Sequence, residues 1–296
     1  MKPVLFYLFG YAVPAHAVLF GLGFTVTFVW AFYEARRVGI DPGKALEVGS
    51  WIFVGIVIGS RTLFVLINPD FFAGDPLRFF RLWEGGMDLY GGVAGCIIAT
   101  LIAAKVKKLP VGEMADVVAQ SGTAGLVIGR IGCLFAGCCY GRPTESAWCI
   151  KYTNPHSLAY QMAGNKCLYP TQIYSVMLLL AVLICLVFLS RRKSFPGQVA
   201  WSFYLIYPVG RFIIEFYRGD ARGFVTEPVL SRIFAPLLKN QTYTAIPFGG
   251  FYHMPYLSSA QFLSVIAFSI ALVGYIISAH RARKRLLQSE HNRDIS

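Results

Sequence analysis

Three arginines, Arg61, Arg130 and Arg211, lie within or at the edge of apolar runs. A lone arginine near the centre of a bilayer costs at least ~2.5 kcal/mol, so such residues usually face a bundle interior and mark a function. Arginine suits phosphate, because its planar guanidinium donates two parallel hydrogen bonds and keeps its charge when buried. The three side chains are therefore predicted to bind a phospholipid head group. The alternative is interfacial snorkelling or a structural ion pair.

The residues around two of these arginines refine the prediction. Arg211 and Glu215 are four residues apart, so they share one face of a helix. A buried pair of this kind can hold the guanidinium in one pose while it donates to a ligand. Arg130 lies between Gly129 and Gly132, and such glycines let a head group or a neighbouring helix approach the backbone closely.

Two further positions could take part in proton transfer. Tyr90 precedes Gly91 and Gly92, and its hydroxyl is expected just inside the membrane interface. The alternative is a tyrosine of the aromatic belt followed by structural glycines. His16 is the histidine that falls within an apolar run, and a single histidine there is more often a hydrogen-bonded structural residue than a base.

The cysteines could form disulfides or a metal site. Cys138 and Cys139 are adjacent, Cys133 lies shortly before them, and Cys149 and Cys167 follow in the same loop. In an oxidising compartment, one or two disulfides are plausible. A zinc site is disfavoured, because no C-x-x-C pair or suitably spaced histidine pair accompanies these residues. Neither a metal nor another cofactor is expected.

The composition indicates a membrane protein rather than a soluble domain. Of 296 residues, 56% are hydrophobic and 14% are charged, whereas ordinary domains carry about a quarter charged residues. The formal net charge of +12 could suggest nucleic acid. Its basic residues, however, cluster at the ends of apolar runs, as Lys and Arg do when they anchor helices at a membrane surface. No nucleic-acid partner is therefore expected.

The apolar runs predict an all-α, polytopic fold with about seven transmembrane helices. Each run is long enough to cross ~30 Å of hydrocarbon at ~1.5 Å per residue, and only helices or closed barrels satisfy backbone groups in lipid. The predicted spans are 14–33, 48–67, 89–104, 115–136, 172–190, 198–216 and 259–279.

The basic clusters predict the orientation. They follow the first, third, fifth and seventh spans, and this bias puts the N-terminus outside and the C-terminus in the cytoplasm. Residues 1–296 are then a single transmembrane domain, with extracytoplasmic loops at 137–171 and 217–257 and a basic cytoplasmic tail at 280–296. The clustered residues are Arg36, Arg37, Lys44, Lys105, Lys107, Lys108, Arg191, Arg192, Lys193, Arg281, Arg283, Lys284, Arg285 and Arg293.

Several motifs, in order, resemble those of the bacterial prolipoprotein diacylglyceryl transferases. Together they run from about residue 14 to residue 275, which is nearly the whole chain. The segments that carry the resemblance are Gly59-Ser-Arg61, Trp83-Glu-Gly-Gly-Met-Asp-Leu-Tyr-Gly-Gly92, Gly129-Arg-Ile-Gly132, Gly137-Cys-Cys-Tyr-Gly141-Arg142, Tyr169-Pro-Thr-Gln-Ile-Tyr174, Tyr207-Pro-Val-Gly-Arg211-Phe-Ile-Ile-Glu215-Phe-Tyr-Arg218 and Leu257-Ser-Ser-Ala-Gln261.

The resemblance implies a transferase of the bacterial cytoplasmic (inner) membrane. Such enzymes move the diacylglyceryl group of phosphatidylglycerol onto the lipobox Cys thiol of a prolipoprotein signal peptide. The product is a thioether, and glycerol phosphate leaves. The expected partners are therefore phosphatidylglycerol, prolipoprotein signal peptides and membrane lipid, with the active site on the extracytoplasmic side.

The resemblance also implies roles for individual residues. It makes Arg130 and Arg211 the two essential arginines, with Tyr207 and Glu215 as partners around Arg211 and Gly141 as the family's characteristic glycine. The matched motifs add the remaining candidate substrate-binding residues, which are Arg61, Gly91, Gly92 and Cys133.

Some positions depart from the family pattern. The family usually has His where this chain has Tyr90, Tyr where it has His16, and His where it has Tyr169. It often has Asn in place of Cys133 and an acidic residue in place of Ser175. If the exchange between positions 16 and 90 is compensatory, both residues line one cavity and His16 supplies the base. The alternative is a divergent relative with an altered substrate. The phosphate assignment does not depend on this exchange, but the assignment of the base does.

Two other classes of function fit some of the same features. A membrane oxidoreductase could use Cys133, Cys138 and Cys139 near a quinone, although no C-x-x-C pair supports it. A non-catalytic lipid-binding or transport protein could hold a head group with the same arginines. In the transferase reading Cys138 and Cys139 are not nucleophiles, because the reacting thiol belongs to the substrate.

Overall fold

The computed structural model describes residues 4–8, 11–72, 74–220 and 258–294. The predicted loop 217–257 therefore lies outside the described residues from position 221 onward. The described chain is helical apart from two small antiparallel sheets, β1 with β2 and β3 with β4. In chain order its elements are β1 Val4–Leu8, β2 Tyr11–Pro14, α1 Ala15–Arg37, α2 Pro42–Ile67, α3 Leu89–Val106, α4 Val111–Ala136, β3 Ile150–Lys151, α5 Leu158–Ala163, β4 Cys167–Leu168, α6 Thr171–Arg192, α7 Gln198–Glu215 and α8 Ser259–Asp294, with short 3-10 turns at Pro69–Phe71, Pro76–Phe80 and Leu82–Glu84.

Each predicted span overlaps one of the long helices. Six of them, α1, α2, α3, α4, α6 and α8, are long and apolar enough to cross a membrane. The 18-residue α7 covers the sixth predicted span, but it carries Arg211 and Glu215 and is not among those six. The all-α, polytopic membrane fold is thus confirmed, whereas the number of seven spans and their orientation stay predictions.

The helices present large apolar side chains outward. On α6, for example, Met177, Ile184 and Phe188 are each more than half exposed. A soluble protein rarely exposes contiguous apolar surface of this kind, because water would drive it to associate. Hydrocarbon solvates such side chains without that cost, so the outward faces fit a bilayer.

The described chain forms two compact units. Among the described residues, the smaller unit lies within 28–118, and the larger unit lies within 1–27 and 119–296. In the smaller unit, glycines spaced four apart bring α2 and α3 into backbone contact: Gly55 and Gly59 face Gly91 and Gly95. A Cβ on Gly91 would clash with the carbonyl of Gly59, so this glycine permits close helix packing.

Gly91 was predicted to contact substrate, and its geometry favours the structural alternative instead. Gly92 differs, since an added Cβ there would make only ordinary contact with Ile56 at 3.5 Å. Tyr90 lies in the first turn of α3, where the Asp88 carboxylate accepts a hydrogen bond from its backbone N–H at 2.7 Å. This cap explains why α3 begins there.

Arg61 is fully buried in the smaller unit, and its hydrogen bonds are structural. Its Nε donates to the carbonyl of Phe79 at 3.0 Å, and its guanidinium also lies over the Phe72 ring. The remaining guanidinium bonds go to the carbonyls of Arg78, Arg81, Gly85 and Gly86. Five such bonds use every N–H donor that an arginine has.

The predicted role of Arg61 in substrate binding is therefore not what its geometry supports. With all of its donors bonded to backbone carbonyls, the side chain clamps the segment between α2 and α3. Arg61 thus resembles the structural alternative, except that its partners are backbone carbonyls rather than a carboxylate.

Replacing Arg61 by Lys should lower the free energy of unfolding by about 3 kcal/mol. An ammonium has three donors, and each buried carbonyl left without one costs about 1–3 kcal/mol. Thermal unfolding in detergent measures the change. Arg81→Lys is the matched control, because Arg81 pairs with Asp75 at a side chain that is 43% exposed, where an ion pair contributes about 0–1 kcal/mol. Unchanged stability together with weakened phospholipid binding would return Arg61 to the substrate site.

In the larger unit, small residues again set the helix contacts. A Cβ on Gly23 of α1 would lie 2.9 Å from the carbonyl oxygen of Gly125 on α4. Further along the same pair of helices, Gly132 packs on the backbone of His16. Polar bonds join α7 to α8, where Gln198 Nε2 donates to the Tyr275 hydroxyl at 2.9 Å.

Candidate active site

Helix α4 ends in a turn that folds the chain back over its last residues. Gly137 has φ +68°, its N–H donates to the carbonyl of Leu134, and the N–H of Cys138 donates to the carbonyl of Cys133. These two bonds are those of a Schellman motif, in which a glycine takes the left-handed conformation just past the helix. The motif accordingly brings Cys138 next to Cys133.

Cys139 completes a cluster of three thiols. It has φ +58°, a conformation uncommon for a residue other than glycine. The sulfur atoms of Cys133, Cys138 and Cys139 all lie within 4.8 Å of one another. Three thiols at this separation could hold a metal ion, which their spacing in the sequence does not predict.

Two arginines contact this thiol cluster. Arg130 Nη1 on α4 donates to Cys139 Sγ at 3.8 Å. Arg218, just past α7, also interacts with Cys139, and its guanidinium forms a bidentate pair with Asp220 at 2.8 and 2.6 Å. The Arg218 side chain is only 3% exposed. Cationic groups from two distant parts of the chain thus converge on one thiol.

The motif that begins at Tyr169 lies at the start of α6. It holds residues 137–140, the cysteine loop, in place. Thr171 Oγ1 hydrogen-bonds to the carbonyl of Cys139 at 2.8 Å, and Gln172 Nε2 donates to the carbonyl of Cys138, also at 2.8 Å. Gln172 also donates to the buried Tyr152 hydroxyl at 3.0 Å. Both cysteine carbonyls are therefore positioned by side chains of a single helix end.

Gly141 lies where two further segments meet the cysteine loop. It bridges to Arg218 in antiparallel fashion, and the N–H of Gly219 donates to the carbonyl of Tyr140 at 3.1 Å. A Cβ on Gly141 would clash with the backbone of Tyr169. The position thus requires glycine for close backbone approach, which explains the motif glycine by packing.

Arg211 and Glu215 form the ion pair that their spacing predicted. The pair is buried on α7, and the Glu215 carboxylate also accepts a hydrogen bond from Ser258 Oγ at 3.2 Å. Ser258 and Gln261 bond reciprocally at the start of α8, with each side chain accepting from the backbone N–H of the other residue. This is a capping box. The last matched motif therefore caps α8 and anchors the ion pair.

Tyr207 links α7, the helix that carries Arg211, to Arg130. It lies one helical turn before Arg211 on α7, stacks on Phe203 at 5.3 Å, and is close enough to Arg130 to interact with it electrostatically. The predicted residues Arg130, Cys133 and Tyr207 are thus brought together in the larger unit.

His16 lies at the start of α1, half-buried, with its ring edge-on to Phe20. Its Cα would be 3.6 Å from a Cβ on Gly132, which is one residue before Cys133. The His16 backbone is therefore close to the α4 segment that carries Arg130. The predicted pairing of His16 with Tyr90 stays a prediction.

The surroundings shift the pKa values of the two loop thiols, Cys138 and Cys139, in opposite directions. Hydrogen bonds from Cys133 and Cys138 lower the pKa of the Cys139 thiol far below its usual value, against the effect of burial, and Arg218 and Arg130 lower it further. The pKa of Cys138 is raised by its bonds to the other two thiols and by burial. Burial alone would lower the pKa of Arg218, but Asp220 and Cys139 raise it overall. Cys139 is thus the thiol that the site favours as thiolate.

Several contributors were missed at the level of sequence. Arg218, which pairs with Asp220, interacts with Cys139, and a local signal existed in the i, i+2 spacing of this pair at the end of a matched motif. The roles of Thr171 and Gln172 carried no local signal, because their partners lie more than thirty residues away. Cys149 and Cys167 form a disulfide, which confirms one of the bridges considered plausible.

Comparison with known proteins gives one family. Residues 3–277 match the family model for prolipoprotein diacylglyceryl transferase. Similar proteins named phosphatidylglycerol–prolipoprotein diacylglyceryl transferase occur in Clostridium tetani (31% identical, covering 76% of this chain and 89% of the relative) and in Geobacter sulfurreducens (33% identical, 67% and 76%). Another is found in Idiomarina loihiensis (32% identical, 74% and 80%). This chain belongs to the prolipoprotein diacylglyceryl transferase family.

Proposed function

We propose that the protein transfers the diacylglyceryl group of phosphatidylglycerol to the lipobox Cys thiol of prolipoproteins, forming a thioether and releasing glycerol phosphate. The observation that carries the proposal is a pair of guanidinium groups in the larger unit, Arg130 beside the cysteine loop and the buried Arg211, whose helix also brings Tyr207 to Arg130. Buried guanidinium groups of this kind suit a phosphate that gains negative charge as it leaves. Family membership and the names of the relatives support the same reaction.

The reaction needs a thiolate and a stabilised leaving group. The thiolate sulfur attacks the glycerol carbon, the bond from that carbon to the phosphate oxygen breaks, and its electron pair departs with glycerol phosphate. Arg130 and Arg211 bind the phosphate, and preorganised cations in a low-dielectric site lower the barrier to this charge transfer. Glu215 orients Arg211 through their ion pair, and Tyr207 on the same helix lies near Arg130. Cys133, Gly92 and Gly141 contribute to substrate contact or to the packing behind it.

The enzyme is proposed to act in the bacterial cytoplasmic membrane, with the N-terminus and active site on the extracytoplasmic side. The basic clusters support this orientation. The disulfide between Cys149 and Cys167 supports it as well, because loop 137–171 would then lie in an oxidising compartment. The basic residues from 280 onward, which continue α8, would form a helical cytoplasmic tail.

His16 is proposed as the base that accepts the thiol proton, and Tyr90 as a hydrogen-bond donor to the substrate. An imidazole commonly serves as a general base, whereas a phenol normally donates a hydrogen bond. The contact between the His16 backbone and Gly132 supports the assignment only in that it packs the start of α1 against the helix that carries Arg130.

His16→Phe should reduce transfer at least about tenfold, because loss of general-base catalysis typically costs 10²–10⁴-fold and water can replace part of it. Phospholipid binding should change little, and Tyr90→Phe should be milder. The exchanged variant His16→Tyr with Tyr90→His should recover part of the lost rate. Initial rates of peptide lipidation measure these effects. Normal transfer by His16→Phe would assign the proton to water or to the precursor.

Mass spectrometry tests the function itself. The purified protein is incubated with phosphatidylglycerol and a reporter peptide that carries a lipobox cysteine. The peptide should gain the mass of one diacylglyceryl group, and glycerol phosphate should appear in equal amount. A reporter with serine in place of that cysteine is the control. Lipid binding without any peptide product would favour a non-catalytic phospholipid-binding protein, and a change confined to cysteine oxidation would favour an oxidoreductase.

A further inference from the structure

We propose that Cys133, Cys138 and Cys139 bind a zinc ion, and that the open fourth position of this ion takes the thiolate of the lipobox cysteine. Binding of the lipobox thiolate at the fourth position rests on the proposed function. Binding of zinc by the three cysteines at the end of α4 depends on the geometry of the thiol cluster alone.

The distances suit such a site. A zinc–sulfur bond is ~2.3 Å long, so three sulfurs around a tetrahedral zinc are about 3.8 Å apart. The three sulfurs here lie within 4.8 Å of one another, and rotation of the side chains over a distance of about 1 Å closes the difference. Catalytic zinc sites have three protein ligands and keep one position for water or substrate, whereas structural sites have four.

The surrounding charges also suit it. A divalent cation beside Arg130 and Arg218 would be repelled if the cysteines were neutral thiols. Three thiolates with a zinc ion instead carry a net charge of −1, and the two arginines with Asp220 carry +1. The charged groups that contact the cluster are then balanced. A bound metal ion is often the largest charge in a site, so this balance favours its binding.

The backbone that carries the ligands is held in place without any metal. The Schellman turn fixes Cys138 against Cys133, and Thr171 and Gln172 hold the carbonyls of Cys139 and Cys138. Supporting contacts of this kind orient ligands and raise metal affinity. The cluster therefore needs little reorganisation when the ion binds.

A zinc ion at this position would activate the substrate thiol. A free cysteine has a pKa near ~8.5, and a thiol that coordinates a metal ion loses its proton outright. That proton passes to His16 or to water. The coordinated sulfur then forms the bond to the glycerol carbon while the phosphate leaves toward Arg130, whose Nη1 is 3.8 Å from Cys139 Sγ. The thioether product has no charge and binds zinc weakly, so it can dissociate.

The first experiment measures the metal. Protein purified in detergent after growth with zinc should contain about one zinc per chain by inductively coupled plasma mass spectrometry, the stoichiometry of a single site. Cys133→Ser, Cys138→Ser and Cys139→Ser should each weaken zinc binding more than the ~10–100-fold that loss of a supporting contact costs. Cys96→Ser and Cys185→Ser are the controls, because both residues are free cysteines outside the cluster.

A spectroscopic experiment uses the wild-type protein, so its result does not depend on whether the cysteine variants fold. Co²⁺ added to the metal-depleted wild-type protein should give intense sulfur-to-cobalt charge-transfer bands, and the lipobox peptide should alter the visible d–d bands. A peptide with serine in place of cysteine should not alter them. Absence of charge-transfer bands in an active enzyme would overturn the metal site and leave the transferase function standing.

The activity arm separates the two halves of the proposal. Removing the metal with a chelator should reduce diacylglyceryl transfer at least about tenfold, which corresponds to ~1.4 kcal/mol of barrier, and Zn²⁺ should restore it. Stoichiometric zinc with transfer that is unaffected by its removal would overturn the role of the fourth position. Stoichiometric zinc in a protein that never forms the lipidated peptide would refute the proposed function while supporting the metal site.

Discussion

Transfer of the diacylglyceryl group should fall at least about tenfold when Arg130 is replaced by Lys, which corresponds to ~1.4 kcal/mol of barrier. The substitution keeps the positive charge but removes the planar fork that binds a phosphate through two parallel bonds. The effect should be clearest at Arg130, because its Nη1 lies in the proposed active site, at the cysteine loop. The rate of formation of lipidated reporter peptide measures it.

Arg191→Lys is the matched control. Arg191 is exposed at the end of α6, so the same substitution there should leave the rate unchanged. Arg211→Lys should resemble Arg130→Lys, since both arginines are proposed to hold the lipid phosphate. Full activity in both lysine variants would remove these arginines from the mechanism.

The largest effect on stability is expected at the buried ion pair of α7. Glu215→Leu leaves Arg211 buried without its carboxylate, and breaking a buried pair in this way costs about 3–5 kcal/mol. The double variant Arg211→Met with Glu215→Leu removes both charges and fills similar volume, so most of the stability should return. Thermal unfolding in detergent measures both.

The double variant also separates structure from function. Its stability should approach that of the wild type, yet its transfer should stay low, because the proposed phosphate ligand is gone. If the double variant transferred lipid at the normal rate, Arg211 would be a structural residue only. If Glu215→Leu alone were as stable as the wild type, the pair would not be the anchor between α7 and α8 that its bond to Ser258 indicates.

Features that depend on residues close together in the sequence were predicted well. The pair of Arg211 and Glu215 follows from a spacing of four residues in a helix, so no tertiary contact is needed to foresee it. The apolar runs likewise predicted where the long helices lie, because a bilayer imposes a length and a composition on each span. The same local reasoning did not foresee that Arg61 bonds to carbonyls of another segment or that Gly91 packs on the backbone of α2.

The sequence by itself determined that this chain is a helical membrane protein with arginines at positions where lipid phosphate is the natural anion. Only the tertiary structure decided which arginine reaches the cysteines and which one clamps a loop. It also decided that three cysteines with no metal-binding spacing share one cluster. The physical reason is that helices form from local periodicity. The cluster depends instead on a left-handed turn at Gly137 and on bonds from Thr171 and Gln172, and these require packing between distant segments.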